Sequence, residues 1–163
     1  MDYLAEARRL HEESIEPYKG PPIGATEAEV AALEHEIGFA LPQAYRQYLL
    51  WMGKDRDGIF AGSEWFLCAH YYEQDYIELV TELYGLDLEK YPLPKNFFLF
   101  FHHQAYEAAW FLLPKESEDP PVHYFNENDD KTVPILAGTY TEFLVRQLGI
   151  VAPLMPRLYK RRR

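Results

Sequence analysis

Cysteine is nearly absent: Cys68 is the only one in 163 residues. A disulfide framework within the chain is therefore excluded, which fits a reducing cytoplasm. Cys68 sits in the apolar run "WFLCA", which reads as a buried thiol rather than a nucleophile. Serine is scarce too. Ser14, Ser63 and Ser117 are the only three, and none lies in G-x-S-x-G. Neither G-x-G-x-x-G nor a P-loop appears, so no phosphate-cradling loop is expected. No run approaches the roughly 20 apolar residues of a membrane span, so no membrane is expected among the partners. The opening "MDYLAEARRLHEES" lacks the apolar core of a secretory signal. These absences together make the expected location cytoplasmic.

Basic residues are also few, 16 against 26 acidic, for a net charge of -10. Phosphates repel such a surface, which disfavours nucleic acid and suits a basic partner. The imbalance is uneven. Arg157, Lys160, Arg161, Arg162 and Arg163 supply five of the basic residues, so residues 1–156 hold 11 against 26, a net of -15. The basic segment reads as a solvated tail.

Hydrophobic residues are plentiful, 48% of the chain, and aromatics reach 16%. A chain of about 150 residues buries roughly two thirds of its unfolded surface, enough for one sizeable core. Tyrosine is the commonest aromatic; it buries area at low entropic cost and keeps a polar tip.

Residues 2–15 read as a helix with Leu4, Ala7, Leu10 and Ile15 on one face. "EPYKGPPIG" breaks it. Thr26 and Glu29 have capping-box spacing, Val30, Leu33 and Ile37 form a stripe, and Gly38 suits a helix end. Pro42 is expected at the first position of the next helix, where Tyr45, Tyr48, Leu49 and Met52 recur at helical spacing before Gly53. "EWFLCA" reads as a short strand and residues 71–84 as a helix. "FFLFF" (97–101), "AAWFLL" (108–113) and "PVHYF" (121–125) read as strands. Their short connections exclude a parallel crossover. "GTYTEFLVRQLG" closes with a helix, capped by Thr139 and Glu142. Segregated helices and an antiparallel sheet predict an α+β fold.

Little in this pattern suggests catalysis. His102 and His103 are adjacent on a strand and point to opposite faces, so they do not suit one metal. Glu107 and His123 approach each other only in one hairpin register. Carboxylates cluster in the expected turns: Asp55 and Asp57; Glu116, Glu118 and Asp119; Glu127, Asp129 and Asp130. A catalytic pair needs one carboxyl in an apolar pocket, whereas acids in turns are usually solvated. Together they suggest an acidic, aromatic-edged docking face.

Three segments carry a resemblance. "ATEAEVAALEHEIGFALPQAYRQYLLWMG", "FFLFFHHQAYEAAWFL" with "DPPVHYFNEND", and "TYTEFLVRQL" resemble, in order, the signature segments of the SUKH superfamily over roughly residues 24–148. Ala105 stands where that superfamily usually has glycine. The resemblance implies a compact α+β domain, a mostly antiparallel sheet packed on helices, without catalytic machinery, metal or cofactor. It also implies a role as an immunity protein that occludes a toxin, or as a regulatory or scaffold protein. The expected organisation is a helix and linker over 1–23, the domain over 24–150 and the basic tail over 151–163. The expected partner is a protein with a basic surface, such as a nuclease toxin. The expected contacts are Asp55, Asp57, Glu64, Glu118, Asp119, Glu127, Asp129 and Asp130, with Tyr72 and Tyr106 as aromatic anchors.

Overall fold

The computed structural model describes residues 1–55, 89, 97–103, 107–126 and 135–160. Its elements run α1 (Ala5–Ser14), α2 (Glu16–Lys19), α3 (Glu27–Ile37), α4 (Gln43–Met52), β1 (Phe97–His103), β2 (Glu107–Leu112), β3 (Pro121–Asn126), β4 (Ile135–Thr139) and α5 (Tyr140–Val151). A 3₁₀ turn (Ala152–Leu154) and α6 (Met155–Leu158) follow. The sheet is antiparallel throughout, in the order β1-β2-β3-β4. The fold is α+β. No helix among the described residues is long and apolar enough to cross a membrane.

Local chemistry sets the helix boundaries. The Thr26 side chain accepts from the Glu29 N–H, and the Glu29 carboxylate accepts from the Thr26 N–H at 2.8 Å. Thr139 and Glu142 repeat the device at the start of α5. Two free donors of each first turn are thus satisfied. Gly38 ends α3 at φ 74°, a left-handed conformation that a side chain resists.

Two boundaries differ from the sequence reading. Helical structure does not stop at "EPYKG": α2 adds a further turn, and the break comes at Gly20, φ 91°. Pro17 lies in the first turn of α2, where its missing N–H costs nothing. Pro42 precedes α4 instead of opening it, with φ -58° and ψ 140°. The strand β4 was not foreseen. The expected strand "EWFLCA", the expected helix over 71–84, Cys68 and Ala105 lie outside the described residues.

The core answers why α4 is so aromatic. Tyr45 is 1% exposed and Tyr48 2% exposed. The Tyr45 ring lies 5.4 to 5.9 Å from those of Phe98, Phe100, Phe111 and Tyr140. Most of these contacts are edge-to-face, the arrangement ring quadrupoles prefer. A bulge between Leu99 and Phe101 lets Phe98, Phe100 and Phe101 all join this core, which strict strand alternation would forbid. The opposite sheet face carries Leu99, Ala108, Trp110 and Phe125, which are also buried. α1 packs against α5 and contributes Ala7 to the core, and its flanking residues Leu4 and Ile15 are buried there too. It also buries His11, whose ring meets Trp51 edge-on at 5.3 Å.

Backbone contact closes the structure at Gly24. Ala25 N–H donates to Leu49 O at 2.8 Å and Lys54 N–H to Ile23 O at 3.0 Å. A Cβ on Gly24 would sit 1.9 Å from the Leu50 carbonyl oxygen, so only glycine lets this segment lie so close to α4.

Candidate protein-docking surface

The loop joining β2 to β3 spans residues 113–120, and its Glu118 and Asp119 were candidate contacts. Lys115 Nζ donates to Glu118 Oε2 at 2.8 Å and to Leu41 O at 3.2 Å. The same Glu118 oxygen accepts from the Gln43 N–H at 3.0 Å, and the Glu118 carbonyl accepts from the Ala44 N–H at 2.9 Å. Pro42 has no side chain able to cap α4, so Glu118 caps it from a distant part of the sequence. Hydrogen bonding to Lys115, then to the Gln43 N–H, holds the Glu118 carboxyl below its ordinary range.

The next two residues do the same for α5. Asp119 Oδ1 accepts from the Thr141 N–H at 2.9 Å, and the Pro120 carbonyl accepts from the Tyr140 N–H at 2.8 Å. The loop therefore joins the positive ends of two helices, where negative charge is stabilised. Glu118 and Asp119 are brought together, but both carboxylates point at backbone donors of their own chain.

Asp55 lies elsewhere. It follows the C-terminal end of α4, whereas Glu118 sits at the N-terminal end. Ten helical residues, about 15 Å, separate the two ends. Asp57, Glu64, Tyr72, Tyr106, Glu127, Asp129 and Asp130 lie outside the described residues.

The outward side of this region has a different composition. Glu116 and Pro121 are exposed. Leu136 on β4 is 67% exposed and pairs in register with His123 on β3, which faces Trp110 on β2. The His123 and Trp110 rings stack at 5.8 Å and 8°. Burial holds the His123 imidazole below its ordinary pKa, and the nearby Glu116 charge opposes that shift. Leu112, Glu116, Pro120 and Pro121 line a shallow hollow beside it. An acid thus borders two exposed apolar side chains, Leu136 and Pro121, beside the half-buried His123, while Trp110 on β2 is buried. Glu116 was read from sequence as one acid of a turn cluster but not among the expected contacts, and Leu136 was not singled out; a strand leucine reads as core unless the covering layer is known.

The geometry around the other sequence candidates is structural. Glu107 pairs with Asn126, not His123. Its Oε1 accepts from the Tyr124 hydroxyl at 3.1 Å and from the Asn126 amide. His102 and His103 lie opposite Ala108 and Glu107, on alternate faces of β1. Among the described residues, no group of three His, Cys, Asp or Glu is placed to hold a metal. The region offers hydrogen-bond acceptors, negative charge and apolar contact, the means of recognition.

A family model described as SMI1 / KNR4 family (SUKH-1) matches residues 24–146. The chain belongs to this family. The match begins at Gly24, beside α4, and ends within α5, so it contains the sheet, both capping boxes and the 113–120 loop. SUKH-1 proteins are generally non-catalytic and act in toxin immunity or regulation through protein contacts. A search of curated proteins finds no match.

Proposed function

We propose that this SUKH-1 protein is an immunity protein: it binds a cognate toxin in the cytoplasm and occludes its active site. The observation that carries the reading is the exposed row of Leu136 and Pro121 with Glu116 at its border. Apolar residues beside charge are what a protein interface needs, the first for affinity and the second for on-rate and partner choice. The net charge of -10 supports a toxin with a basic cleft, such as a nuclease. Asp55, Glu118 and Asp119, with Asp57, Glu64, Glu127, Asp129, Asp130, Tyr72 and Tyr106, remain proposed contributors to that face. In Glu118 and Asp119 one carboxylate oxygen is already engaged within the fold, so they would contribute charge and the acceptor capacity of the other oxygen.

Co-expression with a candidate toxin domain drawn from the neighbouring reading frames tests this. Survival of the cells and a purifiable complex are expected. Cell death with no isolable complex would sink it. The second reading is a regulatory or scaffold protein without a toxin, which family membership equally supports. It predicts a stable complex with a non-toxic partner instead.

A further inference from the structure

Where α1 passes into α2, the surface is concave. Glu12, Glu16, Pro17, Gly20 and Pro21 line an open hollow of about 580 Å³ there. Its two carboxylates stand four positions apart, and like charges so spaced along a helical segment repel. The Lys and Arg side chains of residues 1–23 are turned elsewhere. Arg8 pairs with Asp2 and lies over Trp51, Arg9 bridges Glu6 and Glu13, and Lys19 Nζ sits 4.1 Å over the ring of Tyr159. Among the described residues, Glu12 makes no ion pair and Glu16 approaches only His11.

His11 gives an independent sign of a missing group. It is 1% exposed, and both its ring nitrogens lack a hydrogen-bond partner, which is rare for buried polar atoms. Its Nδ1 faces the Glu16 carboxylate at 3.9 Å. That is too long for a hydrogen bond, but one N–H-bearing group can serve both atoms. Burial keeps the imidazole neutral at pH 7, so with its proton on Nε2 the Nδ1 atom is an acceptor. Acceptors therefore converge from His11, Glu12 and Glu16, and what they want is a cation with several N–H groups.

We propose that the hollow receives an arginine side chain of a partner protein. A guanidinium offers five N–H groups in one plane, enough to meet both carboxylates and turn one hydrogen toward His11. Pro17 and Pro21 wall the hollow with carbon, which suits the apolar stem behind the charged head. An ammonium is a point charge and matches a fork of acceptors less well. A metal ion does not fit, since no three His, Cys, Asp or Glu among the described residues are placed to hold one. The hollow is a second contact surface. His11 meets Trp51 near the C-terminal end of α4, whereas Glu118 caps the N-terminal end. It also precedes the residues matched to SUKH-1, and it stands whether the partner is a toxin or a regulatory protein.

The test is a nuclear magnetic resonance titration of the isotope-labelled full chain with the peptide acetyl-Gly-Arg-Gly-amide. The citrulline counterpart, which keeps the shape and loses the charge, is titrated separately. Saturable shifts at the amides of residues 11–20 and at the His11 ring nitrogens are expected with the arginine peptide alone. Glu12→Gln/Glu16→Gln should weaken binding about tenfold or more. Neither side chain is buried, and unchanged or raised thermal melting confirms folding, because the variant removes a like-charge pair. Three results would overturn the proposal. One is no saturable shift with the arginine peptide. Another is an equal response to the citrulline peptide, which would mean packing without charge. The last is binding that survives the double variant, or shifts spread over acids elsewhere, which would mean general attraction to an acidic chain.

Discussion

The carboxylate of Glu118 accepts a hydrogen bond at 3.0 Å from the backbone N–H of Gln43, 75 positions earlier in the chain. The contact ties the start of α4 to the loop between β2 and β3. It gives an acid on a candidate interface a structural task.

That task can be separated from charge. Glu118→Ala removes a cap and leaves Lys115 without its carboxylate, so urea unfolding should show a loss of about 1 kcal/mol, within the range of cap deletions. Glu116→Ala, two residues away and exposed, should stay within about 0.5 kcal/mol of the parent. Equal losses would mean that Glu118 acts through general charge. The Glu118 contribution is present above the unfolded carboxyl pKa, about 4.3. It disappears as pH falls through the lowered folded value.

His11 responds to acid over a different window. It is 1% exposed, and neither ring nitrogen has a hydrogen-bond partner among the described residues. The Glu16 carboxylate lies 3.9 Å from its Nδ1. Burial lowers its pKa from 6.5 to about 4, so the folded ring stays neutral while the unfolded ring takes a proton. Stability is then complete above about pH 6.5 and declines as pH falls toward 4, by roughly 2–3 kcal/mol in all. His11→Phe keeps a ring against Trp51 and removes the titration. Chemical denaturation at stepped pH should show that limb flattened in the variant. An unchanged acid limb would refute the assignment.

Two glycines should respond oppositely to the same change. Gly24→Ala drives a methyl into the Leu50 carbonyl and should cost about 1–3 kcal/mol or more. Gly149, inside α5, has nothing within 4 Å of an added Cβ, so Gly149→Ala should raise stability by roughly 0.5–1 kcal/mol. Thermal melting of the two variants checks both signs.

Leu136→Glu places a charge in the exposed apolar row without opening a cavity. Stability should change by less than about 0.5 kcal/mol, as at other open surface positions. Capture of the cognate partner should weaken by tenfold or more if this row is central to the interface. Isothermal titration against that partner decides it, and unaltered affinity would move the interface elsewhere.

Much of the fold was legible because its signals are local. The Thr26–Glu29 and Thr139–Glu142 boxes are three-residue spacings, and Gly38 is a single residue with one conformational reason to be there. The aromatic stripe of α4 and the three strands from Phe97 to Asn126 followed from periodicity and loop length. β4 escaped because it is five residues long, contains Ala137 and Gly138 and runs straight into α5. The docking surface was less readable. Composition showed an acidic chain but could not say that Glu118 and Asp119 turn inward to helix ends while Glu116 does not. Those roles depend on residues 75 and 22 positions away. The bulge at Leu99 is equally non-local, since it is defined only against β2.

The loop from Lys115 to Pro120 divides evolutionary freedom unevenly. Lys115, Glu118, Asp119 and Pro120 hold two helix starts in place, so a lineage that altered them would disturb the architecture. Glu116 and Leu136 hold nothing comparable. Those two positions can therefore be rewritten while the same scaffold is inherited unchanged.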